Sequence, residues 1–321
     1  MKKLISAILS VLLLFALAVP ALADEPQQTR AQFVRTLYAS LDADKLEQFN
    51  DIPDGSIRDI PRGAPYESAV YALYRAGILA TDDKFNRFFP DRPVTASEVE
   101  LINFRVRYPA SRRINKIKSA FTAQEIFTLT TDAVFTIETF DKSGKTIRTG
   151  SAFFISADGT AATCLHVLDN AVTAEITLTS GEKHKVLGVS AYSVKTNVAL
   201  LKIDSTDAPS GFPWLPVADS AATKVGQTAY SLGTPLELDG TISKGLVSYV
   251  NRKVDEREMT QFTSNISQGS GGGALLDAQG RVIGITSSSY SAGETLNLAE
   301  PSKHILALTP GSVTRLADIK R

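Results

Sequence analysis

The run Gly150-Ser151-Ala152-Phe153-Phe154-Ile155 is broken by the turn Ala157-Asp158-Gly159 and resumes at Thr163-Cys164-Leu165-His166-Val167. It sets apolar strand-like segments on either side of a tight reversal and ends the second on an imidazole. Working outward, similar runs recur at 172–178, 198–203, 245–250 and 281–286 with turn signals between them. Short strands at such spacing predict an all-β barrel or sandwich, and residues 131–321 are long enough for two barrels.

Upstream the texture is helical. Phe33, Val34, Leu37, Tyr38 and Leu41 recur at the spacing of one apolar helix face. Pro53, Gly55, Pro61, Gly63 and Pro65 mark a connection, after which residues 66–79 predict a second helix carrying Val70, Leu73, Tyr74 and Ile78, broken at Gly77. Phe88-Phe89-Pro90-Asp91 reads as a turn. Thr95 then caps a third helix, with Glu98 completing a capping box. Arg105, Arg107, Arg112, Arg113, Lys116 and Lys118 form a basic bridge, read as a solvated linker helix in preference to a contact with an anionic polymer. Residues 122–127 predict a short helix leading into the β region.

The N-terminus reads as an address. Lys2 and Lys3 precede the apolar run 4–19, and Ala21-Leu22-Ala23 offers small residues for cleavage, the pattern of a secretory signal peptide. The mature chain is expected to begin at Asp24 with no membrane span after cleavage, since no other stretch reaches the length a spanning helix needs. A secreted, extracellular protein is the expectation.

The 321 residues are 43% hydrophobic and 21% charged, a globular balance. Lys+Arg and Asp+Glu both total 34, which leaves no electrostatic case for a nucleic-acid partner. One cysteine excludes an intramolecular disulfide and any metal site built on several thiolates. Ser270-Gly271-Gly272-Gly273 lacks the Lys-Ser/Thr ending of a phosphate-cradling loop. No cofactor and no metal are expected.

Six segments, in order, resemble a trypsin-like serine protease of the bacterial HtrA/Deg kind over residues 120–310. They are the opening stretch, Asn197-Val198-Ala199-Leu200-Leu201-Lys202, Ser231-Leu232-Gly233-Thr234-Pro235 with Val225-Gly226 before it, Gly245-Leu246-Val247-Ser248, Gly269-Ser270-Gly271-Gly272-Gly273-Ala274-Leu275-Leu276-Asp277, and Leu296-Asn297-Leu298-Ala299-Glu300-Pro301-Ser302. The resemblance implies a mainly β fold, a chymotrypsin/trypsin-like double β-barrel with a small N-terminal α-helical module. Residues 24–110 in turn resemble an S-layer homology module, through Phe49-Asn50-Asp51-Ile52, Phe89-Pro90-Asp91 and Val94-Thr95-Ala96-Ser97-Glu98. Such modules grip cell-wall polysaccharide. Thr29-Arg30-Ala31-Gln32-Phe33 looks like the tail of a preceding copy, where Arg30 keeps the basic signature residue, and Ala96 replaces it in the second, so a wall-binding module and a vestigial packing module stand as equal readings. The expected layout is a signal peptide over 1–23, the helical module over 24–110, a basic linker and leading helix over 111–130, and the peptidase domain over 131–321.

The resemblance places the base at His166. His184, among Glu182, Lys183 and Lys185, reads as solvent-exposed, and His304 falls on a C-terminal helix. Two positions depart from the family. Its triad Asp reads as Asn197, and an amide can orient an imidazole but cannot stabilise imidazolium by charge. Asp204 and Asp219 are not obvious substitutes. Its triad Ser falls on Gly271 when the loop is aligned back from Ala274-Leu275-Leu276. A one-residue shift would instead make Ser270 the nucleophile, with one inserted glycine. The downstream match favours the first register. The N–H groups of Gly269 and Gly271 lie where the family builds its oxyanion hole, although three consecutive glycines raise the entropic cost of a preorganised loop. Cys164, two residues before His166, would share a face with it on a continuous strand.

The resulting expectation is a degenerate protease whose cleft binds a peptide or protein chain by strand addition without hydrolysis. The alternatives are an active serine endopeptidase using Ser270 with His166, and a wall-associated protein acting through the N-terminal module.

Overall fold

Three helices open on the same device, a threonine N-cap whose hydroxyl accepts from the N3 backbone while the N3 side chain reaches back to the cap. The computed structural model describes residues 28–42, 46–80, 83–234, 240–254, 256–267, 269–291 and 295–320. The signal peptide expected over 1–23 lies outside them. The boxes are Thr29 with Gln32 for α1 (Arg30–Ser40), Thr95 with Glu98 for α3 (Ala96–Arg107) and Thr122 with Glu125 for α4 (Ala123–Thr130). Between the first two lies α2 (Glu67–Arg75). Among the described residues no helix is long and apolar enough to cross a membrane.

The chain forms two compact units that divide between Ile117 and Lys118. In the first, α1 and α2 bury Phe33, Val34, Leu37, Val70, Leu73 and Tyr74 around Ile78 and Phe88. The second helix stops at Arg75, short of the expected 79, because Gly77 turns the chain at φ +68° where a Cβ would lie 2.7 Å from the Arg113 carbonyl. That close approach also corrects the expectation of a solvated linker helix. Arg105 is buried within α3 and donates to the Ile78 carbonyl at 3.2 Å. Residues 112–120 form no helix. Their polar groups are committed elsewhere: Arg113 N–H donates to the Gly77 carbonyl at 2.9 Å, Asn115 N–H donates to Asn50 Oδ1 at 2.9 Å, and the Asn115 side-chain amide donates to the Tyr74 and Leu79 carbonyls.

The second unit is mainly β. Six strands close the first barrel: β1 (Val134–Phe140), β2 (Thr146–Phe154), β3 (Thr160–Cys164), β4 (Thr173–Thr177), β5 (Lys183–Ser193) and β6 (Val198–Ile203), in the order 1-2-3-6-5-4. The second barrel closes as 10-11-12-9-8-7 from β7 (Thr228–Gly233), β8 (Thr241–Val254), β9 (Arg257–Phe262), β10 (Ala274–Leu276), β11 (Val282–Ser291) and β12 (Thr295–Pro301). A short helix, α5 (Lys303–Leu306), follows and carries His304. Closure leaves no unpaired sheet edge. Alternation along the strands fills the first interior with Phe135, Ile137, Phe154 and Leu201, where Phe154 stacks on Phe212 at 4.3 Å between centroids. Burying each such side chain is worth roughly 1.5–3 kcal/mol. Ala229, Val247, Phe262, Leu275, Ile283 and Ala299 fill the second. This is the chymotrypsin/trypsin-like double barrel.

Candidate functional site

Strands β3 and β6 pair antiparallel with Cys164 opposite Val198, so the residues just beyond that pair meet at one end of the barrel. Leu165 N–H donates to the Asn197 carbonyl at 2.9 Å, and the chain tightens into a 3₁₀ turn over Leu165–Leu168. That turn corrects the shared-face expectation for Cys164 and His166, because β3 ends at the cysteine. Cys164 is fully buried with Sγ 3.5 Å from the Thr286 carbonyl. Burial, reinforced by the Glu300 carboxyl, pushes its thiol well above the ordinary value. His184 is corrected too: it is half-buried, its ring edge-on to Phe212 at 5.1 Å.

Asn197 holds φ at 53°, the left-handed region that asparagine tolerates best among non-glycine residues. Its Oδ1 accepts from the His166 backbone N–H at 3.0 Å, and His166 Nδ1 lies 3.0 Å from Nδ2 and 3.2 Å from Oδ1. Asn197 Nδ2 also donates to Glu300 Oε1 at 3.0 Å. Glu300 is wholly buried, ion-paired to Arg257 and approached by the Ser287 hydroxyl at 3.4 Å. Its Oε2 has no hydrogen-bond partner among the described residues. Burial pushes this carboxyl above its ordinary value, while Asn197, Arg257 and Ser287 pull it back. Burial likewise holds the His166 imidazole below its ordinary value; the Asn197 hydrogen bond and Asp169 oppose this, and Arg148 and Arg257 add to it. Sequence reasoning missed Glu300, Arg257 and Ser287. The available signal was an acid inside the apolar closing strand Leu296-Asn297-Leu298-Ala299-Glu300; nothing local marked the other two.

Opposite the imidazole, residues 269–273 are pinned from both sides. Ser151 N–H donates to the Gly271 carbonyl at 2.9 Å, and Ser151 Oγ donates to the Gly269 carbonyl at 2.8 Å. Gly272 N–H donates to Thr286 at 2.7 Å, Thr286 N–H returns to Gly273 at 2.9 Å, and the Thr286 hydroxyl donates to the Ser270 carbonyl at 2.6 Å. These bonds offset the entropic cost of the glycines. Among the described residues no acceptor takes the N–H of Gly269 or Gly271.

The glycines are not equivalent. A Cβ on Gly272, at φ +90°, would lie 2.1 Å from the Ser151 carbonyl, and one on Gly273 would lie 2.6 Å from the Leu232 carbonyl. A Cβ on Gly271 meets only the Ser287 carbonyl at 3.4 Å and His166 Nε2 at 3.8 Å, ordinary van der Waals distances. Backbone packing demands glycine at 272 and 273 and not at 271. Ser270 is 5% exposed, its hydroxyl accepts from Ser267 N–H at 3.2 Å, and it lines a small recess with Ser231, Gly233 and Asn265. No hydrogen bond joins it to His166 among the described residues. Asp204 and Asp219 accept from the N–H groups of Thr206 and Ala221 in local turns.

The family model of the trypsin-like peptidase domain matches residues 150–285. The chain carries a trypsin-like peptidase domain of the HtrA/DegP kind. It is 35% identical over 145 residues to a Halomonas elongata protein named "Probable periplasmic serine endoprotease DegP-like", covering 44% of this chain and 30% of that one. It is 29% identical over 185 residues to Serine protease HTRA1A of Danio rerio, covering 56% and 37%. Among solved structures, the HtrA-type protease AlgW with a tripeptide superposes with a TM-score of 0.52 at 25% identity, covering 58% of this chain and 62% of that one. The chain thus spans about a third of the length of these two curated relatives. The family-model match lies within the second unit.

Proposed function

We propose that the peptidase domain is a degenerate protease that holds a peptide or protein chain in its cleft without cutting it. The observation that carries this reading is Gly271. The loop position whose Cβ would stand 3.8 Å from His166 Nε2 has no side chain with which to attack, and backbone packing does not call for glycine there. Asn197 compounds the loss, since an amide in the acid's place leaves imidazolium without a countercharge. In a serine protease with an intact serine and histidine, that Asp-to-Asn change alone lowers turnover about 10⁴-fold. The pinned loop and its N–H groups support recognition of a carbonyl, and a relative, the HtrA-type protease AlgW, has been solved with a tripeptide. The endopeptidase reading through Ser270 is disfavoured by that hydroxyl's burial and its bond to Ser267.

Export through the Met1–Ala23 leader belongs to the same proposal, in keeping with the periplasmic name of the Halomonas elongata relative. A role of the N-terminal unit on cell-wall polysaccharide is a separate proposal, resting on Arg30 alone of the two signature positions.

The direct test incubates the full mature chain with a random hexapeptide pool, reading retention by affinity capture and cleavage by mass spectrometry. Retention without new termini is expected. Cleavage that disappears in His166→Ala would overturn the reading.

A further inference from the structure

We propose that Glu300 locks the Asn197 amide so that neutral His166 carries its hydrogen on Nε2, turning the former proton acceptor into a donor toward a carbonyl or carboxylate of a bound peptide. The ligand half of this inference rests on the peptide-binding reading above; the lock does not.

The two ends of one amide face partners of opposite polarity. Asn197 Oδ1 faces the His166 backbone N–H at 3.0 Å, and Nδ2 faces Glu300 Oε1 at 3.0 Å. Rotating the amide by half a turn would set an NH₂ group against an N–H and a carbonyl oxygen against a carboxylate. Both are contacts of like polarity in a buried place, so the orientation is fixed by its partners. An amide nitrogen carries two hydrogens. One goes to Glu300; the other points to His166 Nδ1, which lies 3.0 Å from Nδ2 and farther, at 3.2 Å, from Oδ1. Nδ1 therefore serves as the acceptor, and the single hydrogen of a neutral imidazole sits on Nε2. Nε2 faces the space beside Gly271. A general base needs a lone pair there, and this arrangement presents a donor beside Gly271.

Glu300 stands in a strand whose neighbours Leu298 and Ala299 are apolar and buried, and it takes a carboxylate with an unpartnered Oε2 into the interior. Arg257, three-quarters buried, and the Ser287 hydroxyl hold it there. Burying an acid at this spot is costly, and orienting Asn197 is what the acid accomplishes. The charged groups acting on the imidazole itself are Arg148, Asp169 and Arg257, and burial keeps it neutral over a wider pH range than a free histidine. Glu300 is thus a positioning residue.

The test is ¹⁵N-resolved NMR of the His166 ring in the full mature chain, above the imidazole's titration. The hydrogen is expected on Nε2 in the wild type and in Glu300→Gln, whose side-chain oxygen can still accept from Asn197. In Glu300→Ile the lock is lost and Nδ1–H becomes populated. Glu300→Ala replaces Glu300→Ile if the latter fails to fold. Nδ1–H in the wild type, or an unchanged tautomer in the apolar variant that folds, would overturn the lock. A random hexapeptide pool with free C-termini and the same pool amidated are then added. Movement of the Nε2 signal by the first alone assigns a terminal carboxylate, and movement by both assigns a chain carbonyl. No movement by either overturns the donor role and the peptide-binding reading, while leaving the tautomer result standing.

Discussion

At Gly272 the backbone φ of +90° coincides with a carbonyl 2.1 Å from any Cβ, whereas one residue earlier a side chain meets nothing closer than 3.4 Å. The two neighbours should therefore respond differently to substitution. Gly272→Ala is expected to lose at least about 3 kcal/mol in chemical denaturation, because both strain and overlap must be relieved. Gly271→Ser should change stability by less than about 1 kcal/mol. Equal losses at both positions would contradict the distinction. The same contrast measures how far the site was legible. His166, Asn197 and the glycine loop could be read because their order along the chain carries them. Glu300 could not, since its role depends on β12 pairing beside β11 and pointing inward at a residue 103 positions away. The one-residue ambiguity between Ser270 and Gly271 likewise needed three dimensions: which of them faces the imidazole depends on backbone direction within the loop.

Among elements, the reversal between β2 and β3 carries a local charge device that can be tested by pH. Burial alone would raise the Asp158 carboxyl. Lys202 Nζ at 2.8 Å, together with the Thr160 N–H at 3.0 Å, outweighs it and draws the value from 3.8 down to about 2. A depressed carboxylate stabilises the fold above its unfolded value and ceases to do so as pH falls through its folded one. The contribution should be present above about pH 4 and vanish by about pH 2. Because the pair is half exposed, its worth is about 1 kcal/mol or less. Asp158→Asn should lose that increment at pH 7 and none at pH 2 in urea titrations; an equal loss at both would contradict it. Elements themselves were mostly legible: apolar alternation gave the strands, and Thr95 with Glu98 gave a helix start at the observed residue. The linker was not legible, because basic composition does not report exposure. Arg105 is basic yet buried, and Arg113 and Asn115 engage backbone groups contributed by residues far back in the chain, which local pattern cannot foresee.

For the whole molecule, balanced charge and two closed barrels made fold class readable from the order of six weak motifs, none of which would have sufficed alone. Activity was less readable, because fold and catalysis are separable. Export gives one prediction at this scale: the chain recovered from the medium of a secreting host should begin at Asp24 by N-terminal mass analysis, and an intact Met1 would contradict it. The central claim concerns the cleft, and fluorophosphonate labelling of the purified mature chain, with mass spectrometry to locate any adduct, addresses it most directly. The account predicts no adduct at Ser270 or elsewhere in residues 269–273. An adduct on Ser270 that disappears in His166→Ala would contradict it and establish a working serine–histidine pair.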